Sequence, residues 1–177
     1  MKQGADTVKR ISLELGGNAP FIVFESANLD KAVNGAIASK FRNAGQTCIC
    51  ANRIYVQETI YDTFTAKLAS KVKDMKVGAG DEDGVVIGPL INQRGLEKVQ
   101  EHVADALKKG GTLICGGRTH PAGPLFYEPT IITGMTPDMV LAGEETFGPV
   151  AGLFKFRDEG DVIAQANETR YGLAAYF

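Results

Sequence analysis

The 177 residues include no tryptophan, only three cysteines (Cys48, Cys50, Cys115) and two histidines (His102, His120), and no apolar run long enough to cross a bilayer. Each scarcity excludes something. An odd, small number of thiols cannot build a disulfide-stapled fold, so a reducing compartment is expected, the cytoplasm first and the mitochondrial matrix second. The two histidines have no partner at ligand spacing, and both read as surface residues rather than metal ligands. The longest apolar runs, such as Phe21 to Phe24, fall far short of the roughly 20 residues of a spanning helix, which excludes membrane insertion. Excess charge is lacking too. There are 19 basic and 21 acidic side chains, a formal charge of −2, and the basic ones are scattered, so there is no electrostatic footprint for nucleic acid. Met1 to Asp6 is polar and lacks the apolar stretch of a secretory signal, so the triplet Asn167-Glu168-Thr169 is not read as a glycan site.

What is present is a chain with 44% apolar residues, enough to bury roughly two-thirds of its unfolded surface around a full core. Strand-like and helix-like segments alternate from end to end, the pattern of an α/β fold with a mostly parallel sheet covered by helices on both faces. Alternating Ile11, Leu13 and Leu15 suggest a first strand, and the continuously apolar Phe21–Phe24 suggests one buried on both sides. Asn28 is placed to cap a helix in which Leu29, Ala32, Val33, Ala36, Ile37 and Phe41 repeat at helical spacing until Gly45. Arg53 to Gln57 reads as a strand. Thr59 to Asp62 resembles a capping box before a helix facing inward through Phe64, Leu68, Val72 and Met75. Leu96, Val99, Val103 and Leu107 mark another helix, ended by Gly110-Gly111. Further strands are expected at Thr112–Cys115, Thr130–Thr133, Gly152–Phe156 and Gly172–Phe177, with a short helix near Asp161–Glu168. The apolar close of the chain, with no polar tail, reads as a boundary inside a longer protein.

Several motifs fail on inspection. Gly78 to Gly84 has one residue too many for a dinucleotide loop, follows a helix, and carries three carboxylates where a pyrophosphate needs positive ends. As a calcium loop it fails because Asn92 stands where the bidentate glutamate belongs. Cys48 is different. It follows a helix and a glycine, in the polar stretch Phe41-Arg42-Asn43-Ala44-Gly45-Gln46-Thr47-Cys48, whereas Cys115 lies inside an apolar run where burial keeps a thiol protonated. From composition alone, a packing role is still the plainer reading of Cys48, since most cysteines are packing residues.

The stretch Leu13-Glu14-Leu15-Gly16-Gly17-Asn18-Ala19-Pro20 and the Phe41–Cys48 segment resemble the two signature motifs of the aldehyde dehydrogenase family. The separation from Glu14 to Cys48 also resembles the family's spacing, and Gly143-Glu144-Glu145-Thr146-Phe147-Gly148-Pro149-Val150 is a third match in order. Within the family, the Phe41–Cys48 segment followed by Cys50-Ala51-Asn52-Arg53 is most similar to the succinate-semialdehyde dehydrogenase branch. The resemblance implies a Rossmann-like three-layer catalytic domain, NAD or NADP as cofactor, a small-molecule aldehyde as substrate and a homo-oligomeric parent. Residues 1–16 would supply the last strand of the cofactor domain and residues 17–177 a truncated catalytic domain. The pyrophosphate loop, the asparagine that shares the oxyanion hole and the C-terminal oligomerisation segment would then lie outside this chain.

The same resemblance implies the roles of single residues. Cys48 would be the nucleophile and Glu14 the general base, although without the family match an exposed strand carboxylate is the plainer reading of Glu14. Glu145 would hold the nicotinamide ribose hydroxyls, with Phe147 packed beside the ring. Arg42 is expected to read a distal substrate carboxylate, since a guanidinium fork suits it; its alternative is a solvated helix-end residue. Glu144 reads as an exposed or structural acid, and Asn18 as a brace for the turn. Cys50, two residues past Cys48, is either a small packing residue or a disulfide partner that silences the nucleophile reversibly. A stand-alone module inert as a dehydrogenase is the competing reading of the whole chain.

Overall fold

A computed structural model describes residues 1–177. Its strands are β1 (Ala19–Val23), β2 (Ala51–Gln57), β3 (Lys76–Val77), β4 (Val85–Ile87), β5 (Thr112–Cys115), β6 (Thr130–Thr133) and β7 (Val150–Phe156). Its helices are α1 (Lys2–Ala5), α2 (Leu29–Lys40), α3 (Tyr61–Lys73), α4 (Gln93–Lys108), α5 (Val140–Gly143) and α6 (Glu159–Asn167). Five strands form one sheet in the order β1-β2-β7-β6-β5, and β3 pairs with β4 apart from it. The pairs β1/β2, β2/β7 and β7/β6 are parallel, and only edge strand β5 runs against its neighbour.

Register explains the two cores. Phe21, Ile54 and Leu153 stand opposite one another across three strands, and so do Ile22, Tyr55 and Phe154. Because side chains alternate across a strand, the first row faces one layer and the second the other. The first packs with Val33 and Ala36 of α2 and Phe64, Leu68 and Val72 of α3. The second packs with Leu96, Val99, Val103 and Ala106 of α4, Leu141 of α5 and Val162 of α6. Helices therefore cover both faces, and β2 and β7 read as nearly unbroken buried runs for that reason.

Local signals act as expected at α2, where Asn28 Oδ1 accepts from the Lys31 amide at 3.1 Å. They fail at three places. Ile11, Leu13 and Leu15 are exposed and form no strand, because no strand of this chain lies beside them to pair with. The segment 172–177 makes one bridge, Tyr176 to Phe21, rather than a full strand. Thr59 caps nothing: its hydroxyl donates to Glu25 Oε2 at 2.8 Å, and α3 begins at Tyr61 after a short turn. Leu107 is also turned outward rather than into the core. No helix is long and apolar enough to cross a membrane.

Candidate active site

Topology brings the three sequence motifs together. Residues 14–18 lead into β1, residues 41–50 into β2, and residues 143–149 into β7. These strands are adjacent and parallel, so all three lead-ins meet at one rim of the sheet, with neighbours roughly 5 Å apart. The rim is at the amino ends of the strands.

The cysteine loop is tightly built. After α2, Asn43 (φ 49°), Ala44 (φ 53°) and Gly45 (φ 74°) turn left-handed in succession, a conformation that is uncommon for non-glycine residues and concentrates at functional sites. The Asn43 side-chain amide donates to the Gln46 carbonyl at 3.0 Å. Gln46 in turn donates to the Pro89 carbonyl at 3.1 Å and accepts from the Ile91 amide at 2.9 Å. A Cβ on Gly45 would collide with the Gly148 carbonyl, so this turn and the 143–149 segment interlock through two glycines. Cys48 then emerges partly exposed, while Cys50 is buried and its amide donates to the Thr47 carbonyl at 2.9 Å. The Tyr176 hydroxyl clamps the loop by donating to the Ile49 carbonyl at 2.7 Å. All three thiols are free.

The double glycine of the first motif fits against this loop. A Cβ on Gly17 would overlap the Cys48 carbonyl, and one on Gly16 would sit 2.9 Å from Glu145 Oε2. The Gly17 amide donates to Glu145 Oε1 at 2.9 Å. Thus a single pair of glycines touches both the cysteine backbone and the acid of the third motif. Just beyond them, Asn18 braces the turn: its side-chain amide donates to the Ala142 carbonyl at 2.9 Å, and its own carbonyl accepts from Arg53 Nε at 3.0 Å.

Glu14, three residues before Gly17, is exposed and makes no hydrogen bond. Arg42 is exposed immediately before the left-handed turn. Burial raises the Tyr176 hydroxyl pKa, with the thiols of Cys50 and Cys48 adding to the rise and Arg42 opposing it. That tyrosine therefore lies within electrostatic reach of all three. Phe147, two residues past partly buried Glu145, is exposed. A carboxylate held on a backbone amide through one oxygen, with the second left over, suits the hydroxyls of a nucleotide ribose. No three His, Cys, Asp or Glu side chains gather as a metal site requires.

Several residues escaped sequence reasoning. His102, expected at the surface, is buried on the inner face of α4 and its Nδ1 lies 2.8 Å from Thr146 Oγ1. It shares the i, i+3, i+4 spacing of Leu96, Val99, Val103 and Ala106, the one signal that could have found it. Burial pushes its pKa down to about 4, with Lys98 adding to the depression and Glu144 and Asp105 opposing it. Glu144, expected as an exposed or structural acid, is exposed and lies 3.7 Å from Lys98. Lys40, at the end of α2, is wholly buried, and its ammonium donates to Asn52 Oδ1 at 2.6 Å. Nothing in its sequence context marks it.

The chain is 58% identical over its full length to the NADP(+)-type succinate-semialdehyde dehydrogenase of Escherichia coli K12. It is 51% identical, again over its full length, to glutarate-semialdehyde dehydrogenase of Pseudomonas aeruginosa, and it spans 37% of each of these two relatives. The fold superposes on a crystal structure of aldehyde dehydrogenase from Brucella melitensis biovar abortus with a TM-score of 0.95 and 63% identity, covering 99% of this chain and 36% of that one. The profile of the aldehyde dehydrogenase family matches residues 1–177, and the chain belongs to that family.

Proposed function

We propose that this chain carries the catalytic machinery of a nicotinamide-dependent dehydrogenase acting on an aldehyde with a distal carboxylate, succinate semialdehyde first and glutarate semialdehyde as the alternative. Residues 17–177 are the catalytic part, and residues 1–16 go with a cofactor domain of the parent polypeptide. NADP or NAD is the cofactor. The observation that carries the reading is the contact of Gly17 with both the Cys48 carbonyl and Glu145. It joins a partly exposed thiol to an acid suited to a ribose.

Each residue then has a physical task. Cys48, as thiolate, adds to the aldehyde carbon, and its own backbone N–H donates to the oxyanion that forms. Bound nicotinamide supplies the acceptor for the hydride that this tetrahedral adduct expels. Cys48 is left as a thioester. Glu14 draws a proton from water, the water attacks the thioester carbon, and the carboxylate product leaves as the thiolate is restored. The exposure of Glu14 gives it access to solvent water. Arg42 holds the distal carboxylate through charged hydrogen bonds, and Glu145 and Phe147 orient the nicotinamide ribose and ring. Cys50 packs beneath the loop; closing a disulfide with Cys48 would require it to leave its buried position.

The test is reduction of NADP⁺ or NAD⁺ by the full-length protein with succinate semialdehyde, glutarate semialdehyde and an uncharged aldehyde of similar length. Cys48→Ala should lower turnover by roughly 10³-fold or more. Retained turnover in that variant, or equal use of the uncharged aldehyde, defeats the proposal.

A further inference from the structure

Lys40 has no task in the mechanism above, yet it is the most deeply enclosed cation next to the site. Its side chain is fully buried, it forms no ion pair, and both its acceptors are uncharged: Asn52 Oδ1 at 2.6 Å and the Thr146 carbonyl at 3.4 Å. A buried charge without an ionic partner is costly, and a methionine of similar volume would pack there without that cost. The two acceptors belong to different motifs. Asn52 lies at the start of β2, two residues past Cys50, and Thr146 separates Glu145 from Phe147. Thr146 is gripped from its other side by His102 at 2.8 Å.

We propose that Lys40 is a positioning residue of the active site, locking the start of β2 behind Cys48 to the Thr146 carbonyl so that Glu145 stays seated on the Gly17 amide and aimed at the nicotinamide ribose. This rests on the ribose assignment of Glu145 made above. The groups facing Lys40 are Cys50 on the approach to β2, Glu145 on the 143–149 segment, and His102 of α4 beyond Thr146. Burial lowers the lysine pKa to about 8, and Cys50 and Glu145 pull against that depression. The bridge therefore holds a full ammonium at neutral pH and a weaker, uncharged donor above pH 8.

The experiment measures NADPH affinity in the full-length dehydrogenase by nucleotide fluorescence, for Lys40→Met, Glu145→Gln and the double variant. Each single variant should weaken binding about tenfold, the loss of one charged hydrogen bond. The double variant should bind no more weakly than Glu145→Gln alone, because the lysine acts through the acid. A second measurement stands even if Lys40→Met does not fold. NADPH affinity of the unaltered enzyme should fall across an inflection near pH 8, and Glu145→Gln should flatten that inflection. Additive losses in the double variant, an unaffected Lys40→Met, or the same pH profile in Glu145→Gln overturns the inference. Failure of Glu145→Gln itself to weaken NADPH overturns the ribose assignment first, and this inference with it.

Discussion

Arg42 and His102 are polar residues with opposite relations to water, and each has a measurable consequence. Arg42 stands exposed at the turn before Cys48, with both hydrogen-bonding edges of its guanidinium unengaged. A side chain that reads the substrate's carboxylate contributes nothing to an aldehyde lacking one. Arg42→Leu should therefore raise KM for succinate semialdehyde roughly 10- to 100-fold, as expected for one or two charged hydrogen bonds. KM for an uncharged aldehyde of similar length should barely move, and equal increases for both would refute the role. His102 makes its prediction through stability. Its folded-state pKa is near 4, below the roughly 6.5 of an unfolded chain, so as pH falls through that window the unfolded state takes up a proton that the native state refuses. The stability is fully present above pH 6.5 and is lost on the way to pH 4, by an amount on the order of 3 kcal/mol. Urea unfolding between pH 7 and 4.5 should show this slope, and His102→Gln should flatten it. Below that range the lowered carboxyls of Asp30, Glu82 and Asp105 take over the acid limb.

Between elements, the decisive contacts are those of backbone with backbone. Gly45 combines a left-handed φ of 74° with a face packed on the Gly148 carbonyl, so Gly45→Ala meets both a conformational and a steric obstacle. Thermal unfolding should show a loss of about 2–3 kcal/mol, and Cys48 alkylation should change with it, since the turn presents that thiol. A variant as stable as the parent would mean that the interlock between the two lead-ins can relax. Such contacts mark the limit of what the sequence shows. Asn28 capped α2 as read, because a cap needs only its own helix. The buried strands were legible from apolar runs, and Cys48, Glu14 and Glu145 stood out through their motifs. Ile11 to Leu15 had the alternation of a strand but no neighbour within this chain, and pairing, not alternation, makes a strand. Thr59 matched a capping box yet bonded to Glu25, 34 positions away in a different turn. Lys40 and Tyr176 were invisible for the same reason. Their partners Asn52, Thr146 and Ile49 are set by the order β1-β2-β7, which no local pattern encodes.

At the scale of the whole molecule, the sheet gathers three distant stretches at the amino ends of adjacent parallel strands, and the resulting rim is open to solvent. Glu14, Arg42 and Phe147 are exposed there, and Cys48 is partly so. Catalysis by this arrangement needs a nicotinamide held over the thiol, and positioning of that kind is worth orders of magnitude in rate. In the proposed reading Glu145 and Phe147 engage only the ribose end of that cofactor, and the chain spans 37% of each of these two relatives. The thiol itself asks for less. It needs solvent access and a loop that keeps its shape, and both are internal to the 177 residues. The 177-residue chain alone should therefore reduce no detectable NADP⁺ or NAD⁺ with succinate semialdehyde, while iodoacetamide at neutral pH should label Cys48 several-fold faster than Cys115, whose pKa is raised by burial. Peptide mapping after timed alkylation gives the ratio. Equal labelling would show that the nucleophile is not preformed in this part of the fold, and turnover by the chain alone would show that the cofactor needs nothing more than this rim.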